Sequence, residues 1–142
     1  MKTTNYFALT ALLVIAAAVV LGTPAAATAA GNKAHLQLYP PVYPPGPFPN
    51  ASGKVSLTQA SSNWEVSWLD RVSVSGLAPN TSYYMPLSGQ SDLWFQTDPR
   101  GNWKGSPGWL VETNRPTWGG WVFYTFEVYD SSTGTLVLTS SP

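Results

Sequence analysis

Val72-Ser73-Val74-Ser75-Gly76-Leu77-Ala78-Pro79-Asn80-Thr81-Ser82-Tyr83-Tyr84-Met85 decides how this chain is read. Val72 and Val74 alternate with Ser73 and Ser75, the period of a half-buried strand. Gly76 permits a kink, and Pro79 and Asn80 favour a turn. Tyr83, Met85 and Leu87 then alternate on a second strand. The stretch is strand, corner, strand.

Outward from it, turn signals separate short alternating runs. Val55 and Leu57 point inward from a strand over 54–59. Over 63–75, Trp64, Val66, Trp68, Val72 and Val74 share one parity, with Asp70 interrupting it at a bulge or tight turn. Leu93 and Phe95 mark a strand over 93–97, and 109–113 a weaker one. The longest run, 121–129, places Val122, Tyr124, Phe126 and Val128 on one face. Leu136 and Leu138 close the chain after the hairpin loop Asp130-Ser131-Ser132-Thr133-Gly134. After residue 30 no stretch keeps a 3.6-residue apolar period over three turns. The expected fold is all-β, an antiparallel sandwich of about seven to eight strands.

The spacing Leu77-x-Pro79-x-Thr81-x-Tyr83 resembles the tyrosine corner of fibronectin type III and related immunoglobulin-like sandwiches. The resemblance implies that the Tyr83 hydroxyl bonds to backbone a few residues upstream and pins a crossing between two sheets. It covers about a dozen residues and speaks to fold, not activity. About sixty residues follow Tyr83, more than fibronectin type III places after its corner. Thr97-Asp98-Pro99-Arg100-Gly101-Asn102-Trp103 also looks like a turn of surface immunoglobulin-like modules. A broader immunoglobulin-like sandwich is therefore expected.

Residues 1–30 read as a cleaved signal peptide. Lys2 gives a positive start, residues 7–22 are mostly apolar and uncharged, and Ala27-Thr28-Ala29 fits a cleavage box. The apolar run is shorter than the ~20 residues a membrane span needs, so membrane contact is expected only through this leader during export. The protein is expected to be secreted, at the cell surface. Residues 31–49 read as an arm ahead of a sandwich over 50–142. Ala34, Leu36 and Leu38 alternate on a short strand, and six prolines between Pro40 and Pro49 forbid helix. That proline segment is expected to be an extended spacer, up to ~30 Å long at ~3.1 Å per residue. The arm strand can fold back on its own domain as an edge strand or add to a neighbour's sheet.

Composition narrows the chemistry. Charged residues are 10% of the chain, against a usual ~25%. Seven basic and seven acidic residues balance, so the totals give no basic footprint for nucleic acid. The absence of cysteine excludes thiolate zinc sites and a cysteine nucleophile. His35 is the only histidine and falls on a polar strand face. No spacing among Glu65, Asp70, Asp92, Asp98, Glu112, Glu127 and Asp130 selects a glycosidase pair. Asp92 and Asp98 suggest weak loop calcium, but Asp98 reads better as the start of a turn whose positive-φ position is Gly101. No enzyme activity, metal or cofactor is expected. Asn50-Ala51-Ser52 and Asn80-Thr81-Ser82 are sequons, which makes Asn50 and Asn80 glycosylation candidates.

Aromatic residues carry the functional signal. Trp64, Trp68, Tyr83, Phe95, Tyr124 and Phe126 fall on core parities. Trp94, Trp121, Phe123 and Tyr129 fall on opposite parities, and Trp103 and Trp118 sit in Gly/Pro loops. A contiguous patch of such rings marks a contact surface. Two functions follow. In one, a surface structural or adhesive protein self-associates, or binds other surface proteins, by inserting Ala34, Leu36 and Leu38 into a neighbour; this head-to-tail contact builds a filament. In the other, a carbohydrate-binding module stacks glycans on Trp94, Trp103, Trp118, Trp121 and Phe123.

Overall fold

The computed structural model describes residues 31–141, except the side chains of Arg115, Pro116, Trp121 and Val122. The expected leader lies outside the described residues. Among the described residues eleven strands run in chain order: β1 (Lys33–Leu38), β2 (Ser52–Gln59), β3 (Val66–Ser75), β4 (Ser82–Met85), β5 (Leu93–Gln96), β6 (Trp103–Gly105), β7 (Trp109–Glu112), β8 (Asn114–Thr117), β9 (Gly120–Phe123), β10 (Glu127–Asp130) and β11 (Leu136–Thr139). All pairings are antiparallel. The first sheet runs β1-β2-β3-β6, with β7 also on β3; the second runs β11-β10-β4-β5; β8 and β9 form a separate ribbon. The helical structure among the described residues is one 3-10 turn, Ser62–Trp64. One buried cluster joins the two sheets, with Val55, Leu57, Leu69, Val72 and Val74 on one side and Tyr83, Met85, Phe95, Val128 and Leu138 on the other. The all-β, two-sheet architecture matches the expectation.

The quoted stretch crosses between the sheets. Tyr83 is fully buried, and its hydroxyl accepts the Ala78 N–H at 3.1 Å. A second turn holds the corner from outside. Gly101 C=O accepts the Leu77 N–H, Asp98 C=O accepts the Asn80 N–H, and Thr97 Oγ1 donates to Ala78 C=O at 2.6 Å. Asp98 organises that turn by accepting the N–H groups of Arg100 and Asn102. These bonds, that from Asn102 first, hold its carboxyl below the usual carboxylate range. Gly101 takes the expected positive φ, 77°.

Two bulges reset the parity of the strands. Ser56 faces Arg71 and Leu57 faces Leu69, so Asp70 is an extra residue in β3. Before it Ser67 and Leu69 point inward; after it Val72 and Val74 do. The expectation that Trp68 is core is therefore corrected: it is 46% exposed, and Leu69 takes its place at 0%. Likewise Val128 faces Leu138 and Tyr129 faces Leu136, which makes Val137 the extra residue in β11. Val137 and Leu138 are both buried, and Leu136 is only half-buried. A bulge bends its strand and flips the alternation beyond it.

The run over 121–129 is not one strand. Its first part pairs with β8 and its second with β4 and β11. Between them the Tyr124 N–H donates to Thr113 C=O and the Phe126 N–H to Ser140 Oγ. The chain leaves the ribbon there and enters the second sheet.

The proline segment is not an extended spacer. Leu38 faces Gly53 and Tyr39 bridges to Thr139, so both ends of the segment are tied to the sandwich and the chain must return on itself. Gly46 N–H donates to Pro41 C=O at 3.0 Å, Ala51 N–H to Phe48 C=O, and the Tyr43–Pro44 bond is cis. A polyproline II helix has no internal hydrogen bonds to hold it straight against such closure. The preceding strand lies along its own domain, with Lys33–Leu38 paired to β2 over its whole length. Leu38 is buried, and Ala34 and Leu36 pack against the core.

Candidate functional site

The outer face of the second sheet carries a row of rings. Tyr83 and Met85 are buried, so Tyr84 between them turns outward; by the same alternation Trp94 turns outward between Leu93 and Phe95. Tyr84 faces Trp94, Tyr129 faces Tyr84, and Leu136 faces Tyr129. Four strands thus contribute one residue each to a single line. The Tyr84 and Trp94 rings stack with centroids 5.0 Å apart and planes at 26°. Tyr84 and Tyr129 stack at 5.4 Å and 18°. Such pairs add about 0.5–1.5 kcal/mol each beyond area burial. The inner rings cover each other's faces. Trp94 ends the row on edge strand β5, with one face on Tyr84 and no other ring contact among the described residues. It is 61% exposed.

At the other end the row meets a groove of about 420 Å³. Its floor includes Glu127, Leu136 and Thr139, and its wall is Pro41, Val42 and Tyr43 of the proline turn. Tyr43 is 95% exposed. Glu127 joins row and groove: its Oε2 accepts the Tyr129 hydroxyl at 2.6 Å. That bond, then burial and the Glu127 charge, push the Tyr129 pKa up to about 12. A phenol raised above its unfolded value near 10 contributes stability that is fully present below pH ~10 and is lost as pH rises toward ~12. In an ultraviolet tyrosinate titration, Tyr129 is expected to ionise late, and Glu127→Gln to bring it back toward 10. An unchanged titration curve in Glu127→Gln would show that this bond does not control the phenol.

The five expected contact aromatics do not form one patch. Trp94 ends the row. Trp103 sits on β6, not in a loop, where it is half-buried, packs on the core and stacks on Phe95 at 4.4 Å. Trp118 is fully exposed in the β8–β9 turn, and Phe123 is 58% exposed on the same ribbon. The Trp121 backbone pairs with Pro116, and its side chain lies outside the described residues. Tyr84 and Tyr43 were not among the expected contact residues. Tyr84 was readable from its parity opposite Tyr83 and Met85, but nothing local placed it beside Tyr129.

The remaining candidates are dispersed. Asn50 is exposed after the proline turn. Asn80 is exposed in the corner at φ 50°, with its backbone N–H and C=O used by Asp98 and Gln96. His35 lies on the outer face of the first sheet, its Nδ1 3.1 Å from Ser56 Oγ. Among the described residues no group of three or more His, Cys, Asp or Glu could hold a metal ion. No protein-family model, curated protein or solved structure matches this chain significantly.

Proposed function

We propose that the chain is an exported immunoglobulin-like sandwich that works by contact, as an adhesive or structural surface protein, and that it binds carbohydrate on the outer face of its second sheet. Strand order supports the family-level reading. In chain order β2, β3, β4, β5, β6/β7, β10 and β11 fall where strands A, B, C, C′, E, F and G fall in immunoglobulin-like sandwiches: A-B-E faces C′-C-F-G. On this assignment β1 is an added N-terminal strand, the β8–β9 ribbon is inserted between E and F, and the tyrosine corner sits at the B–C crossing. That displacement accounts for the sixty residues after Tyr83.

The observation that carries the ligand reading is the free, exposed face of Trp94 at the end of the stacked row. A sugar ring can lie on such a face while the indole N–H finds an acceptor. The measurement is an oligosaccharide array followed by titration calorimetry on Trp94→Ala and Trp118→Ala. Trp94→Ala is expected to weaken glycan binding about tenfold or more, equivalent to ~1.4 kcal/mol; Trp118→Ala is expected to bind normally. Binding that survives Trp94→Ala, or a blank array, would reject the reading.

Self-association by strand addition is a second reading, at the outer edge of β1 and not by insertion of Ala34, Leu36 and Leu38, which pack in their own domain. It is favoured by the outer edge of β1, which pairs with no strand over Lys33–Leu38 among the described residues. Light scattering on the same intact samples reads self-association. Deleting residues 31–49 does not test it cleanly, because the deletion strips Leu38 from the core and uncovers Val55 and Leu57.

A further inference from the structure

The opposite face of the molecule is basic. We infer that the outer face of the first sheet binds anionic polysaccharide, at a site separate from the aromatic row. Of the seven Lys and Arg residues in the sequence, four gather here: Lys33 on β1, Lys54 on β2, Arg71 on β3 and Lys104 on β6. Strand register places three of them in two adjoining rows and Lys33, facing Thr58, in the row beside these. His35, Ser56 and Arg71 form one cross-strand row, and Gln37, Lys54, Ser73 and Lys104 form the next. At a strand spacing of ~4.8 Å, Lys54 and Lys104 stand ~10 Å apart. Adjacent inward residues, among them Gly53, Val55, Val72 and Val74, are buried, so these side chains face solvent. Two shallow hollows lie on this face, about 290 Å³ beside Lys33, His35 and Arg71, and about 190 Å³ beside Lys54.

Among the described residues none of the four cations forms an ion pair. Asp70 is the carboxylate lining the larger hollow, and it accepts a hydrogen bond from Thr58 Oγ1. Other carboxylates lie away from the two rows. Glu65 ends the 3-10 turn ahead of β3, Asp92 is in the β4–β5 loop, Asp98 is in the β5–β6 turn, Glu127 and Asp130 are on β10, and Glu112, on β7, accepts the Ser88 hydroxyl. Four cations against the one carboxylate of Asp70 leave the two rows and their hollows net positive, and a net positive face attracts polyanions.

The chemistry of the face selects among polyanions. Ser56 and Ser73 stand in the two rows, and Ser52 and Ser75, bonded to each other, in the row beyond Lys54; these hydroxyls suit sugar hydroxyls and sulfate or carboxylate oxygens. The two rows carry no aromatic ring on which a base could stack, as single-stranded nucleic acid requires; Trp68, exposed in the adjoining row of Lys33 and Thr58, offers a single ring beside the cations on which a sugar can lie. They also carry no large apolar side chain to enter a lipid interface; Trp68 and Leu110 face each other beyond them and are exposed, which is why vesicles are a competitor in the test. Carboxylated and sulfated chains share the required chemistry, and the two are told apart by probe.

The test is retention of the purified protein on dextran sulfate, alginate and neutral dextran, with duplex DNA and phosphatidylserine vesicles as competitors, over about 50–200 mM salt. Retention is expected on one or both acidic polymers and not on neutral dextran, with affinity falling as salt rises. The variant K33Q/K54Q/R71Q/K104Q is expected to lose more than about tenfold, and each single substitution to lower the salt slope by about one. Arg100→Gln removes one charge away from the face and is expected to change nothing, as is Trp94→Ala, so this site and the glycan reading of the second sheet fail separately. Should the quadruple variant not fold, the single variants Lys54→Gln and Arg71→Gln supply the slope. No retention of the unmodified protein, equal retention of the variants, or stronger competition by DNA or vesicles than by soluble dextran sulfate would overturn the inference.

Discussion

Gly101→Ala is expected to destabilise the protein by more than about 3 kcal/mol, a large share of the ~5–15 kcal/mol that holds a domain folded. Two effects combine. Gly101 has φ 77°, a region that costs an L-residue about 1–2 kcal/mol. A Cβ there would also stand 2.0 Å from Leu77 C=O and 3.0 Å from its carbonyl carbon. Neither atom can swing aside, because Leu77 is buried and its N–H is bonded to Gly101 C=O. The whole turn must move, and the bonds tying Asp98 and Thr97 to the corner move with it. Urea unfolding of the variant measures the loss. A Gly134→Ala control, also at positive φ but with nothing within 4 Å of the added carbon, isolates the strain from the clash. Equal losses in the two variants would show that contact with Leu77 is not what fixes this glycine.

Tyr83 is the second position of large effect. Tyr83→Phe removes the acceptor of the Ala78 N–H and is expected to cost about 1–3 kcal/mol. Tyr83→Ala also leaves a cavity between the sheets and is expected to cost about 3–5 kcal/mol. The ring is fully buried and stacks on Phe95 at 5.8 Å, so the gap cannot be filled without moving β5. Burial also pushes the phenol's pKa up. Thermal unfolding of the two variants separates hydroxyl from ring. A Tyr83→Phe protein as stable as the parent would mean that the corner is held by Thr97 and Gly101 alone.

The expected strands were right where alternation ran unbroken, as in Val55 and Leu57, Val72 and Val74, Leu93 and Phe95. They were wrong where the pleat was interrupted. Trp68 and Leu69 are adjacent, and only the extra residue Asp70 decides which one is inside. A bulge is a relation between two strands, so one strand read alone does not contain it. The same limit applies to the candidate site. Trp94 was legible from its own strand, but its neighbours Tyr84 and Tyr129 come from two others. The groove needs a proline turn that an isolated reading leaves extended.

What the sequence determined by itself was the class of the fold, the inward residues of each uninterrupted strand and the corner at Tyr83, because these follow from alternation and turn chemistry over a few residues. Tertiary structure alone decided the stacked row, the groove and the basic face, because Lys33, Lys54, Arg71 and Lys104 become neighbours only when hydrogen-bond register aligns four separated strands. A balanced charge count conceals such a face, since summation discards position.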